Sequence, residues 1–324
     1  MMQHFWRAVA CAIALAALGG AAASAEAASF DCHRAASSME HMVCNDPKLS
    51  ALDDQLGATY ADMLALSLDP AALRDDEREW LASMQKTATA ELLAQYYGVR
   101  LDILHRELAE EQRATATRDV TEREARNGCL AAIAALDDDL VCKLAAFADI
   151  GSLAGHTLSY ATYTYAPKGS TADANIVMSM RVVVFERRGA GALHLLFAPK
   201  NDGGRFDTPK ILHTRFGDLL HLPGWEEGTG NFNRERLFVW RNDHWRDIDT
   251  TAWLATLQQQ LPKGLGAWKG IFPDYTTMSA TTPLWRASDG NCCPTSGKEA
   301  VITLSLSGDR IAFESVRLRR AKVD

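Results

Sequence analysis

Two Asp-Pro steps, Asp46-Pro47 and Asp69-Pro70, restrict this chain more than any other feature. An Asp at the N-cap accepts hydrogen bonds from free amides, and a Pro at the first helical position gives up an N–H that has no intrahelical partner. A helix therefore starts at each step. Ser37 followed by Glu40 is a capping box, which starts a shorter helix ending near Cys44 and makes Glu40 a cap rather than a catalyst. Behind Pro47 the residues Leu49, Leu52, Leu56, Tyr60, Met63 and Leu64 recur at helical spacing, with Asp53, Asp54 and Asp62 on the other side. A further helix is expected from Ala90 to Gln112, carrying Leu93, Tyr97, Leu101, Leu104 and Leu108 on one face and returning over the first two. Residues 26–112 thus read as an antiparallel helical domain.

Phe30-Asp31-Cys32, Glu40 ahead of Val43-Cys44, Leu52-Asp53, Tyr60, Trp80, Tyr97 and Arg100 together resemble the LprI-like N-terminal domain, a family named for lysozyme inhibitors. The resemblance implies a small disulfide-tied helical domain and leaves lysozyme inhibition open as an activity. That family usually continues with an Arg and a second cysteine pair after the Trp. Met84, Thr87 and Leu92 stand near those places here.

Arg7, the apolar run from Val9 to Leu18 and the small residues Ala23-Ser24-Ala25 form a secretory signal peptide over residues 1–25. The run is shorter than the roughly 20 residues a membrane-crossing helix needs, and no later stretch is long enough. The expectation is a periplasmic or secreted protein with no membrane span. Cys11 lies inside the apolar run, too near the start for the acylated cysteine of a lipoprotein. Six cysteines follow: Cys32, Cys44, Cys129, Cys142, Cys292 and Cys293. An even number in an exported chain reads as disulfides, and about fifteen full pairings exist. The sequence-local choice is Cys32 with Cys44 and Cys129 with Cys142. At about 1.5 Å of rise per residue, neither pair bridges the ends of one straight helix, so each needs a bend between its members. Asp137-Asp138-Asp139 supplies one for the second pair. Cys292 and Cys293 can also bond to each other, although neighbouring Cα atoms lie about 3.8 Å apart, below the usual disulfide range. A turn staple is the preferred reading there over a redox role.

Residues 26–150 carry 24 acidic and 12 basic side chains, whereas the rest of the mature chain carries 17 and 21. An acidic front half argues against nucleic acid and fits a basic partner, though a solvated helical surface produces the same composition. Residues 113–150 read as a charged linker ending at Asn127-Gly128, then a helical hairpin from Cys129 to Phe147. After Gly151 the residues turn β-branched and aromatic. Ile176, Met178, Met180, Val182 and Val184 alternate with neighbours that end in Val183 and Phe185, the period of a strand. Leu193–Phe197 follows. Leu237–Trp240 and Trp245–Ile248 flank Arg241–His244 as a hairpin, and Ile302–Leu306 joins Ile311–Phe313 through Gly308-Asp309 as another. One helix, Trp253 to Leu261, is embedded among them, capped by Thr250 or Thr251 and stopped by Pro262-Lys263-Gly264. The fold class is α+β, with a strand-rich domain over residues 151–324.

No catalytic motif stands in the chain, and no cofactor is implied. His213 with His221, and His33 with His41, lack the short spacing of a metal site. Gly224, Gly228 and Gly230 lack the helix that follows a phosphate loop, and read as a solvent loop. Six of the eight tryptophans fall after residue 224. Trp240 and Trp253 suit a core, while Trp225 and Trp268 sit beside glycines in expected loops and are the candidate ligand contacts. Two functions remain. The first is a non-enzymatic exported binding protein with lysozyme or another basic envelope or host protein as partner. The second is a glycan- or peptidoglycan-binding module, or a hydrolase, that uses the Trp-rich region together with His213, His221 and Asp274.

Overall fold

Each helix start is held by the cap its sequence specifies. In the computed structural model, which describes residues 29–321 apart from 88, 116–117, 128–129, 131–139, 168–178, 200–203, 227, 229 and 231, Ser37 Oγ accepts from the Glu40 amide at 3.1 Å while Glu40 accepts from the Ser37 amide at 2.7 Å. These bonds, the Ser37 amide first, hold the Glu40 carboxyl below its ordinary range. Asp46 accepts from the Lys48 and Leu49 amides, and Asp69 from that of Ala72. The helices are α1 (Ser38–Asn45), α2 (Pro47–Leu66), α3 (Pro70–Met84) and α4 (Ala90–Thr115). Tyr97 reaches Asp53 and His105 reaches Thr59, so α4 runs in the direction of α2. Glu77 meets Arg100 and Trp80 meets Tyr97, so α3 runs against it. The three form an up-down-up unit around Leu49, Leu93, Tyr97 and Leu104, all fully buried. Cys32 is bonded to Cys44 across 5.8 Å between Cα atoms, with the short turn Cys32–Arg34 providing the bend.

The chain then enters a β-structure earlier than the sequence suggests. β1 (Asp119–Thr121) and the short α5 (Glu122–Asn127) occupy the expected linker, and β1 pairs with a strand some seventy residues further on. The expected helical hairpin over Cys129–Phe147 is corrected as well: Leu140–Leu153 is a strand, β2, paired antiparallel with β3 (His156–Pro167). The Ala- and Leu-rich composition favoured a helix, but pairing with β3 overrides local propensity. Register shifts at Leu144/Ala146 and Asp149/Gly151 break the alternation that would have marked β2 as a strand. Asp137–Asp139 and Cys129 lie outside the described residues; Cys142 is disulfide-bonded. β4 (Ser179–Arg187) and β5 (Ala192–Phe197) complete a five-stranded antiparallel sheet in the order β1-β5-β4-β3-β2. Val182 to Phe185 are buried on both faces of β4, as their period implies.

A ribbon of β6 (Gly204–Phe206) with β9 (Gly224–Glu226) leads into a four-stranded sheet of β7 (Lys210–Thr214), β8 (Gly217–Leu222), β10 (Arg236–Arg241) and β11 (His244–Ile248), ordered β11-β10-β8-β7. The β10–β11 turn places Asn242 and Asp243 at positive φ, 51° and 62°, which matches the right-handed twist of a two-residue hairpin. The helix α6 (Ala252–Gln260) starts where expected, but its cap is Asp249, whose Oδ1 accepts from the Thr251 and Ala252 amides. Thr251 makes no side-chain capping bond. After the two-stranded β12 (Leu265–Gly266) with β14 (Trp285–Arg286), a last sheet is ordered β13-β15-β16 from Ser279–Pro283, Lys298–Ser307 and Arg310–Arg320. Trp253 and Leu257 of α6 pack with Ile302, Leu304 and Ile311 in one core.

The motif residues of the front half form one network. Asp53 accepts from the Tyr97 hydroxyl at 2.7 Å, and burial with this neighbour pushes the Tyr97 hydroxyl far up. Arg100 is buried and bonded to Glu77 at 2.7 Å and Asp76 at 2.6 Å. Removing one partner of a buried pair leaves an uncompensated charge, so Arg100→Ala is expected to cost about 3 to 5 kcal/mol in denaturant unfolding. Cys32→Ser with Cys44→Ser opens a loop of about a dozen residues and is expected to cost about 3 kcal/mol. Melting curves of both variants against the parent chain provide the check.

Candidate functional site

The α2–α3 turn carries an apolar residue with nothing in the helical unit to cover it. Leu68 is buried instead among Ala161, Tyr163, Val183, Phe185 and Leu195 of the five-stranded sheet. Its carbonyl accepts from the Ala198 amide at 2.9 Å. Charged side chains close the joint around that plug. Arg118 donates to the Leu66 carbonyl and to Glu111, Arg236 of β10 donates to Asp69 at 3.3 Å, and Arg78 meets Asp249 at 2.9 Å. Arg74 of α3 is paired with Asp247 of β11.

A cleft of about 670 Å³ opens beside these pairs, within the range of small-molecule sites. Leu64 and Ala65 of α2, Leu195 and Phe197 of β5, and Trp245 of β11 give it apolar walls, and Arg74 and Arg118 add cationic groups. Four buried polar atoms of its lining residues have no hydrogen-bond partner: Arg74 Nε, Arg118 Nε, Trp245 Nε1 and Asp247 Oδ1. Burial pushes the Asp247 carboxyl up to about 6 against the pull of the Arg74 guanidinium. Burial alone would raise Asp249 too, but the Thr251 amide, the Thr251 hydroxyl and Arg78 outweigh it and hold this carboxyl low. Two acids on one strand face thus differ in charge state near pH 6. The signal for them was in the sequence: Trp245, Asp247 and Asp249 alternate in a run read only as a hairpin arm.

The expected ligand residues sit elsewhere. Trp268 is 40% exposed and stacks on Trp285 at 5.8 Å, with the Lys269 ammonium over the Trp285 ring. Trp225 is half-buried in β9 opposite Arg205 and makes no ring contact with Trp268. Their loops are tied, since the Gly270 amide donates to the Gly230 carbonyl and Asn233 brackets Ile271. That tie places two rings the sequence reading missed, Phe232 and Phe272, on the surface at 50% and 49% exposure. Trp240 is only half-buried, beside Trp245 and His156, and Trp253 is core.

His213, His221 and Asp274 do not converge. His213 pairs with Asp218 on an exposed hairpin, and His221 is buried against Tyr275 and 3.6 Å from Glu235. Asp274 accepts from the Thr276 and Thr277 amides of its own turn. Among the described residues no three His, Cys, Asp or Glu side chains come together as a metal site, and no helix is long and apolar enough to cross a membrane. Cys292 and Cys293 are bonded to each other in an exposed turn pinned by Asp289, which accepts from the Arg286 and Thr295 amides. No protein-family model and no curated protein matches the chain.

The raised Asp247 carboxyl has a stability signature. A carboxyl whose folded value lies above its unfolded one burdens the fold when ionised, so the burden is absent below about pH 4 and complete above about pH 6. Asp247→Asn is therefore expected to flatten the pH dependence of melting across that window relative to the parent chain. Parallel curves for the two proteins from pH 4 to 7 would refute the assignment.

Proposed function

We propose that this is a non-enzymatic exported binding protein that docks a basic protein partner on the outer face of α4, with lysozyme the example implied by the resemblance to the LprI-like domain. One observation carries the reading. Leu92, Tyr96 and Val99 are 38%, 39% and 59% exposed and follow one another at helical spacing, so α4 presents an apolar stripe away from its own core. Ile103 extends it, half-buried. Glu91, Gln95 and Asp102 border the stripe, all exposed. An apolar centre flanked by the acids Glu91 and Asp102 suits a basic partner, whose charges add on-rate and orientation while the stripe supplies buried area. The surplus of acids over bases in residues 26–150 acts in the same direction. Export, to the periplasm or beyond the cell, rests on the leader-like residues 1–25, which lie outside the described residues.

A glycan-binding reading is favoured by a different surface, the exposed rings of Trp268, Phe232 and Phe272 on neighbouring loops. Flat aromatic faces stack on sugar rings as readily as they pack in cores. A hydrolase has less to support it, since His213, His221 and Asp274 each serve a separate turn or core.

Lysozyme inhibition and direct binding by the mature chain provide the test, at low and at physiological salt. Leu92→Ser with Tyr96→Ser is expected to weaken binding at least about tenfold with an unchanged helical signal. Absence of binding at low salt would sink the basic-protein reading. Titration with peptidoglycan fragments probes the alternative, where a saturable response lost in Trp268→Ala would favour the glycan module.

A further inference from the structure

We infer that the bond between Cys292 and Cys293 is a thiol–disulfide exchange site, one that accepts two electrons from a dithiol. The site contributes nothing to the α4 face or to the cleft, and does not depend on what either of them binds.

The bond is not needed to close the turn that carries it. Asp289 accepts from the Arg286 amide at 2.7 Å and from the Thr295 amide at 3.0 Å, and the Arg286 guanidinium donates to the Thr295 carbonyl at 2.8 Å. At the base of the turn the Leu284 amide donates to the Lys298 carbonyl at 3.0 Å. These hydrogen bonds bridge the turn across the cysteine pair without its help. A bond between sequence neighbours also closes the shortest loop a chain can make, and the restriction that a disulfide places on the unfolded chain grows with loop length. The turn staple expected from the sequence therefore gives way to a chemical role. Access sets this pair apart from the other cysteines. Cys292 and Cys293 are both exposed and belong to no hydrophobic core, whereas Cys32, Cys44 and Cys142 are half-buried. Exchange requires a thiolate to reach a sulfur, and exposed disulfides are the labile ones.

The adjacency of the two cysteines selects a dithiol as the reductant. A thiolate attacks one sulfur of the pair, the bond between Cys292 and Cys293 breaks, a mixed disulfide forms, and the freed cysteine leaves as a thiolate that takes up a proton. With a monothiol this step runs back, because the freed cysteine stays on the neighbouring residue at high effective concentration and displaces the monothiol again. With a dithiol, the second thiol attacks its own half of the mixed disulfide, closes the reductant into a disulfide and releases the second cysteine. Two electrons and two protons have then passed from the dithiol to the pair.

The test is timed incubation of the mature chain with dithiothreitol, or with glutathione at the same thiol concentration, followed by trapping with N-ethylmaleimide and peptide mapping. In dithiothreitol, Cys292 and Cys293 are expected to be labelled at least about tenfold faster than Cys32 and Cys44, and at least about tenfold faster than they are in glutathione. Cys292→Ser with Cys293→Ser is expected to shift the melting temperature by less than about 2 °C, which separates an exchange site from a staple. Equal labelling of the two pairs, equal labelling in the two reductants, or a larger fall in melting temperature would each overturn the inference. Failure of lysozyme or glycan binding would leave it standing.

Discussion

The buried charges at the joint, Asp69 with Arg236 and Asp247 with Arg74, set the terms for the rest of the molecule. Removing two charges from water is expensive, and mutual attraction recovers that cost only where geometry and further hydrogen bonds are good. Asp69 meets this condition by serving twice, as N-cap of α3 and as acceptor for Arg236. Asp247 meets it incompletely, with one oxygen on Arg74 and the other unpaired. The joint is therefore secured at the helix start and left electrostatically open beside the cleft.

The helical unit distributes its residues differently. Asp53, Trp80, Tyr97 and Arg100, the residues that make the front half look like an LprI-like domain, are engaged with one another or with Glu77 inside the bundle. Engaged in this way, they fix the packing of the three helices. The positions that face outward from α4, Leu92 among them, belong to no part of that network. A motif of this kind specifies a scaffold, and different surfaces can be carried on it.

Much of the fold was legible because local signals and tertiary structure agree. Asp46-Pro47, Asp69-Pro70 and the Ser37–Glu40 box act at the positions they occupy, and the alternation around Val182–Phe185 gives a strand covered on both faces. Leu140–Leu153 misled for a physical reason. Two register shifts break its period, and its Ala-rich composition gains strand character only from pairing with β3. The cap of α6 misled more subtly, since Asp249 accepts from the Thr251 and Ala252 amides while Thr251 makes no side-chain capping bond. The cleft could not be read from sequence at all: its walls come from α2, β5 and β11, which meet at the joint held by Leu68 and the ion pairs Arg74–Asp247 and Arg236–Asp69. Trp268 was found by its glycine-rich surroundings, whereas Phe232 and Phe272 owe their exposure to a bond between Gly270 and Gly230 that has no local signature.

The insertion of Leu68 carries an apolar contact across the boundary near residue 112. A chain cut there would carry an exposed leucine at the tip of its helical hairpin, and the remainder would keep a hole beside Tyr163 and Leu195 where that leucine had been. Recombining this front half with another strand-rich partner would require the new sheet to offer a socket for the plug beside Tyr163 and Leu195.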